Sequence, residues 1–166
     1  MSDIVELTRK LLDICKAHGV LVATAESCTG GMIISLMTDL PGSSSMVDRG
    51  FVTYSNEAKM EMLGVTKETL DTHGAVSEQT ALEMAEGALE RSNAGLTLAV
   101  TGIAGPDGGS PDKPVGLVWF GLAMTNRKPI AEHRIFDNLG RDYIRQQTAR
   151  HAITMALDSL GEGRTS

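Results

Sequence analysis

The stretch "VLVATAESCTGG", residues 20–31, has the pattern of a short buried strand that ends in a polar turn. Its first six residues are small and apolar, whereas the last six bring together a carboxylate, two hydroxyls, a thiol and two glycines. The run "GMIISLMTDL", which starts at Gly31, has helical length and ends before Pro41. A strand, a glycine turn and a helix in this order predict an α/β domain.

Strand and helix patterns alternate along the rest of the chain. A first helix is predicted between Asp3, as its N-cap, and Gly19, as its end. Further helices are predicted at residues 55–64, 67–74, 78–93 and 140–160, with Ser55 or Asn56, Thr66 and Ser77 as N-caps. Further strands are predicted at residues 46–54, from 96 into a glycine-rich loop, and at 115–124 and 130–136. The terminal "GEGRTS", residues 161–166, is expected to be frayed.

This alternation, with a hairpin of strands at the end, predicts a three-layer α/β/α sandwich with a mostly parallel, mixed sheet. The 166 residues are expected to form a single domain, residues 1–166. Three polar segments follow predicted strands: "ESCTGG", "YSNEAK" and "TGIAGPDGGSPDKP". Because ligands bind at the carboxyl ends of strands in open α/β sheets, we expect these segments to form one site.

Composition narrows the classes of function. The net charge of −6, with dispersed basic residues, argues against nucleic acid or an anionic membrane as the main partner. Cys15 and Cys28 form no CxxC pair, the N-terminus has no signal-peptide pattern, and no apolar run approaches the roughly 18 residues of a membrane span. A cytoplasmic protein is therefore expected, with a homodimer as the commonest symmetric assembly.

Ser27 allows two interpretations from its surroundings. It is a helix N-cap, or it is a nucleophile that attacks a carbonyl while the backbone amides of Thr29, Gly30 and Gly31 hold the developing oxyanion. The glycines allow close approach of the backbone to a ligand, or they simply form a tight turn. Neither a G-x-S-x-G elbow nor a P-loop is present, so generic motifs do not decide between the two.

A nucleophilic serine needs a base, and no histidine lies beside a predicted strand end. Lys59 can serve if burial or cationic neighbours lower its pKa, although an isolated helix lysine is more often solvated. Three roles are open for Tyr54: it relays a proton, it binds substrate, or it is an aromatic residue at a strand end with a solvated hydroxyl. Cys28 is the competing nucleophile, since helix N-termini lower thiol pKa values. No close spacing of metal ligands is present, so neither a metal nor a cofactor is expected.

Five motifs together resemble the CinA C-terminal-domain family, the nicotinamide-nucleotide amidohydrolases or NMN deamidases. They are "TAESCTGG", "RGFVTYSNEAK", "HGAVSEQT", "TGIAGPDGGSPDKPVGLVWF" and "GRDYIRQQTA", in this order and over nearly the whole chain. The resemblance implies a metal-independent serine amidohydrolase that converts nicotinamide mononucleotide to nicotinate mononucleotide and ammonia. It also implies a Ser–Lys arrangement assisted by tyrosine, on Ser27, Lys59 and Tyr54. The short chain looks like the stand-alone form of a family that includes two-domain members.

The substrate phosphate needs donors and cations. The candidates are the glycine loop and two arginines at the start of the last predicted helix: Thr101, Gly102, Gly105, Gly108, Gly109, Arg141 and Arg145. The alternative is that the two arginines are ordinary surface residues and that the glycine loop is only a tight connection. The rival function is a catalytically silent nucleotide-binding or competence/damage-associated interaction module. An intact Ser27, Tyr54 and Lys59 favour the enzyme.

Overall fold

A five-stranded sheet with helices on both faces organises the computed structural model, which describes residues 2–162. The strands are β1 (Val22–Glu26), β2 (Val47–Val52), β3 (Leu96–Gly102), β4 (Leu117–Met124) and β5 (Ile130–Ile135). The helices are α1 (Ser2–His18), α2 (Met32–Thr38), α3 (Asn56–Leu63), α4 (Lys67–His73), α5 (Glu78–Glu90) and α6 (Arg141–Glu162), with a 3₁₀ turn at Ser43–Ser45. Within the described residues, no helix combines the length and the apolarity that crossing a membrane requires.

The sheet has the strand order β2-β1-β3-β4-β5. The first three strands in this order run parallel, and β4 and β5 form an antiparallel hairpin that extends the sheet beyond β3. The predicted three-layer α/β/α sandwich with a mostly parallel, mixed sheet is therefore confirmed. Because β1 lies between β2 and β3, the chain after β1 first forms β2 on one side of it and later forms β3 on its other side. The carboxyl end of β1 is thus the point where ligands bind in such sheets.

The two faces of the sheet carry different cores. On one face α1, α2 and α6 pack large aliphatic and aromatic side chains, among them Leu11, Ile33, Phe120 and Ile153, against the strands. On the other face α3, α4 and α5 pack around Leu63 and Met84 and against small strand residues such as Ala99. The alternation of large and small residues along β3 follows from the opposite directions of successive side chains in a strand.

Small residues let α5 lie unusually close to its neighbours. A Cβ at Gly121 of β4 would collide with the carbonyl oxygen of Ala81, and a Cβ at Gly87 would collide with that of Leu63. Glycine is therefore required at both positions for steric reasons and not for backbone conformation. The Gly87 contact joins α5 directly to the end of α3.

The predicted caps are confirmed at three helices: Ser55, Thr66 and Ser77 each accept a hydrogen bond from a backbone amide three residues later. The Asp3 cap is wrong, because the helix already includes Ser2. Other differences concern element ends: β2 stops at Val52, α5 stops at Glu90, and α6 continues through Gly161 to Glu162. The expected frayed tail is therefore wrong at residues 161–162, and its remainder, residues 163–166, lies outside the described residues.

Candidate active site

Ser27 follows the last residue of β1 and is held by the neighbouring strands on both sides. The amide of Ser27 donates to the carbonyl of Val100 in β3 (3.1 Å), and the amide of Thr53 donates to the carbonyl of Glu26 (2.8 Å). The hydrogen-bond ladder of the parallel sheet thus continues past the strand ends. Ser27 is buried to 8% exposure, and its position at the sheet edge is fixed by the backbone.

Lys59 lies in α3 and is among the largest side chains that are almost fully buried, with 1% exposure. Its Nζ atom lies 2.9 Å from Ser27 Oγ, 2.9 Å from the carbonyl oxygen of Thr53 and 3.2 Å from that of Tyr54. The cap at Ser55 starts α3 directly after β2, so the first turn of this helix brings Lys59 against the end of β1. The structure therefore joins the serine and the lysine in one hydrogen bond.

Burial lowers the pKa of Lys59 from 10.5 to about 8, because the charged form is poorly solvated there. A neutral amine has two N–H groups and one lone pair. Two backbone carbonyls can accept the two N–H groups, which leaves the lone pair for the hydroxyl proton of Ser27. This arrangement suits a lysine that acts as a base toward Ser27.

Cys28 lines the same cleft but has the opposite electrostatic setting. Burial raises the pKa of its thiol to about 12, since a thiolate there would be poorly solvated. A thiol with this pKa remains protonated at neutral pH and is a weak nucleophile. Of the two candidate nucleophiles, only the Ser27 side chain is bonded to the buried lysine.

The turn after Ser27 depends on two glycines with left-handed backbone, Gly30 (φ 58°) and Gly31 (φ 105°). Their amides are already used inside the turn: Gly30 donates to the carbonyl of Ser27 (3.1 Å) and Gly31 to the carboxylate of Glu26 (3.2 Å). The amides of Cys28 and Thr29, by contrast, donate to no backbone carbonyl within residues 2–162. Cys28 lines the cleft over Ser27, and Thr29 is the next residue along the turn and is fully buried.

Glu26 was not singled out by the sequence analysis as a site residue. It is fully buried and its carboxylate accepts five hydrogen bonds from the turn, from α2 and from β1. The available signal was its position: an acidic residue between a buried strand and a glycine turn that leads into a helix favours the helix N-terminus. Glu26 is therefore the organising acceptor of the turn that carries Ser27.

A cleft of about 230 Å³ opens over the Ser27–Lys59 pair. Its remaining lining includes Tyr54 and Asn56 from one side, Thr101 and Gly102 from β3, and Arg141 from α6. Arg141 donates from Nη2 to the hydroxyl of Tyr54 (3.2 Å) and from Nη1 to the carbonyl of Gly105 (2.7 Å). The three polar segments that were expected to converge thus meet here, and Arg141 brings a guanidinium into the cleft.

The remaining predicted site residues are distributed more widely. Thr101 donates its hydroxyl to the carbonyl of Ala75 (2.8 Å), so it ties the cleft wall together. Gly108 and Gly109 line a separate open depression on the far part of the glycine loop. Arg145 donates to the carbonyls of Cys28 (3.1 Å) and Thr29 (2.9 Å) and so supports the Ser27 turn from outside the cleft.

Fold and site together define a class of protein: a three-layer α/β/α domain with a hydrogen-bonded serine and lysine at the carboxyl edge of its parallel strands. No group of three or more His, Cys, Asp and Glu side chains that could hold a metal ion occurs in the part of the chain that the structure describes. The chain belongs to the CinA C-terminal domain family, whose model matches residues 4–160. The family resemblance of the five sequence motifs is thereby confirmed.

Relatives of known name agree with this assignment. The nicotinamide-nucleotide amidohydrolase PncC of Escherichia coli is 48% identical over 152 residues, which cover 92% of both chains. The putative competence-damage inducible protein of Symbiobacterium thermophilum is also 48% identical, over 93% of this chain but 38% of that protein. The crystal structure of the competence/damage inducible protein CihA from Agrobacterium tumefaciens is similar with a TM-score of 0.93, at 52% identity and 96% coverage of both chains.

Proposed function

We propose that this chain hydrolyses the carboxamide of nicotinamide mononucleotide to nicotinate mononucleotide and ammonia. The observation that carries the proposal is the 2.9 Å contact between Lys59 Nζ and Ser27 Oγ in a buried setting. Such a pair supplies the nucleophile and the base that amide hydrolysis needs. The substrate class follows the name of relatives such as the nicotinamide-nucleotide amidohydrolase PncC, 48% identical over 92% of this chain.

In the first half of the reaction, Ser27 Oγ attacks the carbonyl carbon of the amide while Lys59 Nζ takes the hydroxyl proton. The amides of Cys28 and Thr29 stabilise the oxyanion of the tetrahedral intermediate. The C–N bond then breaks, and Lys59 returns its proton to the leaving nitrogen, which departs as ammonia. The product of this half is an ester between Ser27 Oγ and the nicotinoyl group, which still carries its ribose phosphate.

In the second half, water replaces ammonia in the same position. Lys59 accepts a proton from the water as its oxygen attacks the ester carbonyl, and the second tetrahedral intermediate uses the same two amides. When the ester bond breaks, Lys59 returns its proton to Ser27 Oγ. Nicotinate mononucleotide leaves as a carboxylate, which releases one further proton to solvent, and Ser27 is restored.

The substrate phosphate is proposed to lie at Arg141, the guanidinium that lines the cleft. Arg141 is already oriented by the carbonyl of Gly105 and the hydroxyl of Tyr54. Tyr54 is 62% exposed, so its ring can pack on a ligand at the cleft entrance and adjust when the phosphate binds. Of the other predicted phosphate ligands, Gly105 contributes its carbonyl to Arg141, and Arg145 acts on the turn.

We also propose that the protein works in the cytoplasm on the free nucleotide, without nucleic acid or membrane, as a homodimer. The net charge of −6 disfavours polyanionic partners. The edge strand β5 exposes Ile130 and Ile135, which a second copy of the chain can cover. Light scattering on the purified protein is expected to give twice the chain mass, and a monomer would contradict the dimer.

Incubation of the purified protein with nicotinamide mononucleotide, with ammonia release as the readout, tests the activity. Equal amounts of ammonia and nicotinate mononucleotide are expected, and free nicotinamide should not appear, because the glycosidic bond is untouched. Saturable nucleotide binding without ammonia release would favour the rival, a catalytically silent nucleotide-binding module. Nicotinamide riboside, which lacks the phosphate, is the matched control for the proposed role of Arg141.

A further inference from the structure

A buried carboxylate lies directly before the proposed nucleophile and has no step of its own in the reaction. Glu26 is fully buried, and an unpaired carboxylate at such a depth would cost several kcal/mol. Its two oxygens instead accept five hydrogen bonds. The arrangement of its partners explains what this carboxylate does.

The two oxygens of Glu26 contact different parts of the turn. Oε1 accepts from the hydroxyl of Thr29 (2.6 Å) and from the amides of Ile33 (2.9 Å) and Gly31 (3.2 Å). Oε2 accepts from the hydroxyl of Thr24 (3.0 Å) and from the amide of Ile34 (3.0 Å). The carboxylate therefore joins β1, the turn and the first residues of α2 into one unit.

Thr29 is the partner that lies closest to the chemistry. Its hydroxyl donates to Glu26, its carbonyl accepts from Arg145, and its amide, two residues after Ser27, donates to no backbone carbonyl in the described part of the chain. The peptide that contains this amide also contains the carbonyl of Cys28, which accepts from Arg145 (3.1 Å), and the Thr29 side chain is bonded to Glu26, so this peptide cannot rotate freely. The oxyanion donor is thus pre-oriented before substrate binds, which is the condition for efficient electrostatic stabilisation of a transition state.

We propose that Glu26 is a positioning residue for the reaction: through the hydroxyl of Thr29 it orients the Thr29 amide toward the oxyanion. This inference rests on the proposed amide hydrolysis at Ser27. It assigns Glu26 an effect on the transition state and not on substrate affinity.

Two threonine variants separate this role from simple support of the fold. Thr29→Val removes the hydroxyl on the Ser27 side, whereas Thr24→Val removes the hydroxyl on the β1 side, and both changes preserve side-chain size. Glu26→Gln removes the charge and presents an N–H group where one oxygen accepted hydrogen bonds. Thermal unfolding of each variant reports the stability cost, which is expected to be similar for the two threonines.

The expected result is a loss of kcat by about 10- to 100-fold in Glu26→Gln and Thr29→Val, with KM little changed. Thr24→Val should keep a kcat close to that of the unchanged protein. If Glu26→Gln fails to fold, the comparison of the two threonine variants still decides. Equal losses of kcat in Thr24→Val and Thr29→Val, or a rise in KM alone, would overturn the inference.

A second readout separates this inference from the proposed substrate. A fluorophosphonate reacts with an activated serine and places its P=O oxygen at the oxyanion position, so the rate of Ser27 labelling can be followed by intact mass. Slower labelling in Thr29→Val and Glu26→Gln, but not in Thr24→Val, is expected even if nicotinamide mononucleotide is not the substrate. Labelling at unchanged rates in all three variants would overturn the positioning role.

Discussion

Removal of the Ser27 hydroxyl is expected to abolish the proposed catalysis and to leave the fold intact. Its backbone is held by β3, and its hydroxyl contacts Lys59. In Ser27→Ala we expect kcat to fall by more than about 1,000-fold, because no other hydroxyl takes its place. The lost hydrogen bond costs about 0.5–1.5 kcal/mol of unfolding free energy, so the variant remains folded. Ammonia release and circular dichroism measure the two effects.

Cys28→Ala is the matched control for this serine variant. The burial that raises the pKa of the Cys28 thiol to about 12 keeps it protonated, so its removal should leave most of kcat. A Cys28→Ala protein that folds but has no turnover would indicate that Cys28, and not Ser27, is the nucleophile.

Lys59 is expected to act as a base, which requires that it be deprotonated before it accepts the proton of Ser27. Two substitutions test this requirement. Lys59→Ala and Lys59→Arg should both reduce kcat by about 100-fold or more, since a guanidinium keeps its proton. A lysine that only attracted substrate phosphate would instead tolerate arginine and mainly affect KM. Steady-state kinetics of the two variants distinguish these roles. Substantial kcat in Lys59→Arg would exclude Lys59 as the base.

The depressed pKa of Lys59 also sets the pH dependence. With a pKa of about 8, roughly one-tenth of the lysine is neutral at pH 7 and about half at pH 8, so kcat/KM should rise with pH through pH 8 and level off about one unit higher. Folding stability follows the same sign: the unfolded chain binds a proton on Lys59 up to its ordinary pKa of 10.5, so the unfolding free energy rises between about pH 8 and 10.5. A profile of kcat/KM without an ascending limb near pH 8 would contradict this assignment.

At the scale of elements, the contact between α5 and the end of α3 holds Lys59 in place. Gly87 lies inside α5, where alanine would ordinarily favour the helix, but a Cβ there collides with the carbonyl oxygen of Leu63. We expect Gly87→Ala to lower the unfolding free energy by about 1–3 kcal/mol and to reduce kcat, because α3 must shift. Urea denaturation and ammonia release measure both.

Gly161→Ala is the control for this change, since Gly161 also lies in a helix but a Cβ there meets nothing within 4 Å. This variant should be as stable as the unchanged protein or slightly more so. Equal destabilisation by the two alanines would contradict a steric origin in the α3–α5 contact, because helix propensity by itself favours alanine over glycine.

At the scale of the whole molecule, the proposed reaction uses only groups of the chain itself. In this proposal Ser27 supplies the nucleophile and Lys59 the base, and two backbone amides bind the oxyanion. Activity should therefore survive prolonged dialysis against a chelator such as EDTA. Loss of activity that added zinc or magnesium restores would contradict the Ser–Lys mechanism.

Much of this molecule could be predicted from its sequence because local signals and the fold agree. Helix caps such as Ser55 and Ser77 are local features, and strand ends place polar segments at a common edge. The partners of individual atoms were not predictable in this way. Whether Arg145 faces the cleft or the back of the turn depends on the position of α6, and the use of the Gly30 and Gly31 amides depends on the turn geometry. Such contacts require three-dimensional coordinates.

The bond from Arg145 to the Ser27 turn has a consequence for the synthesis of the chain. The carbonyls of Cys28 and Thr29 are held by a residue that is translated more than a hundred positions later. At about 5–20 residues per second, a ribosome reaches Arg145 roughly ten seconds after it has added these residues. The nascent chain therefore contains Ser27 and Lys59 long before Arg145 can donate its hydrogen bonds to the turn. We therefore expect hydrolytic competence only after the last helix has left the ribosome and docked, and a chain truncated before Arg145 is expected to be inactive.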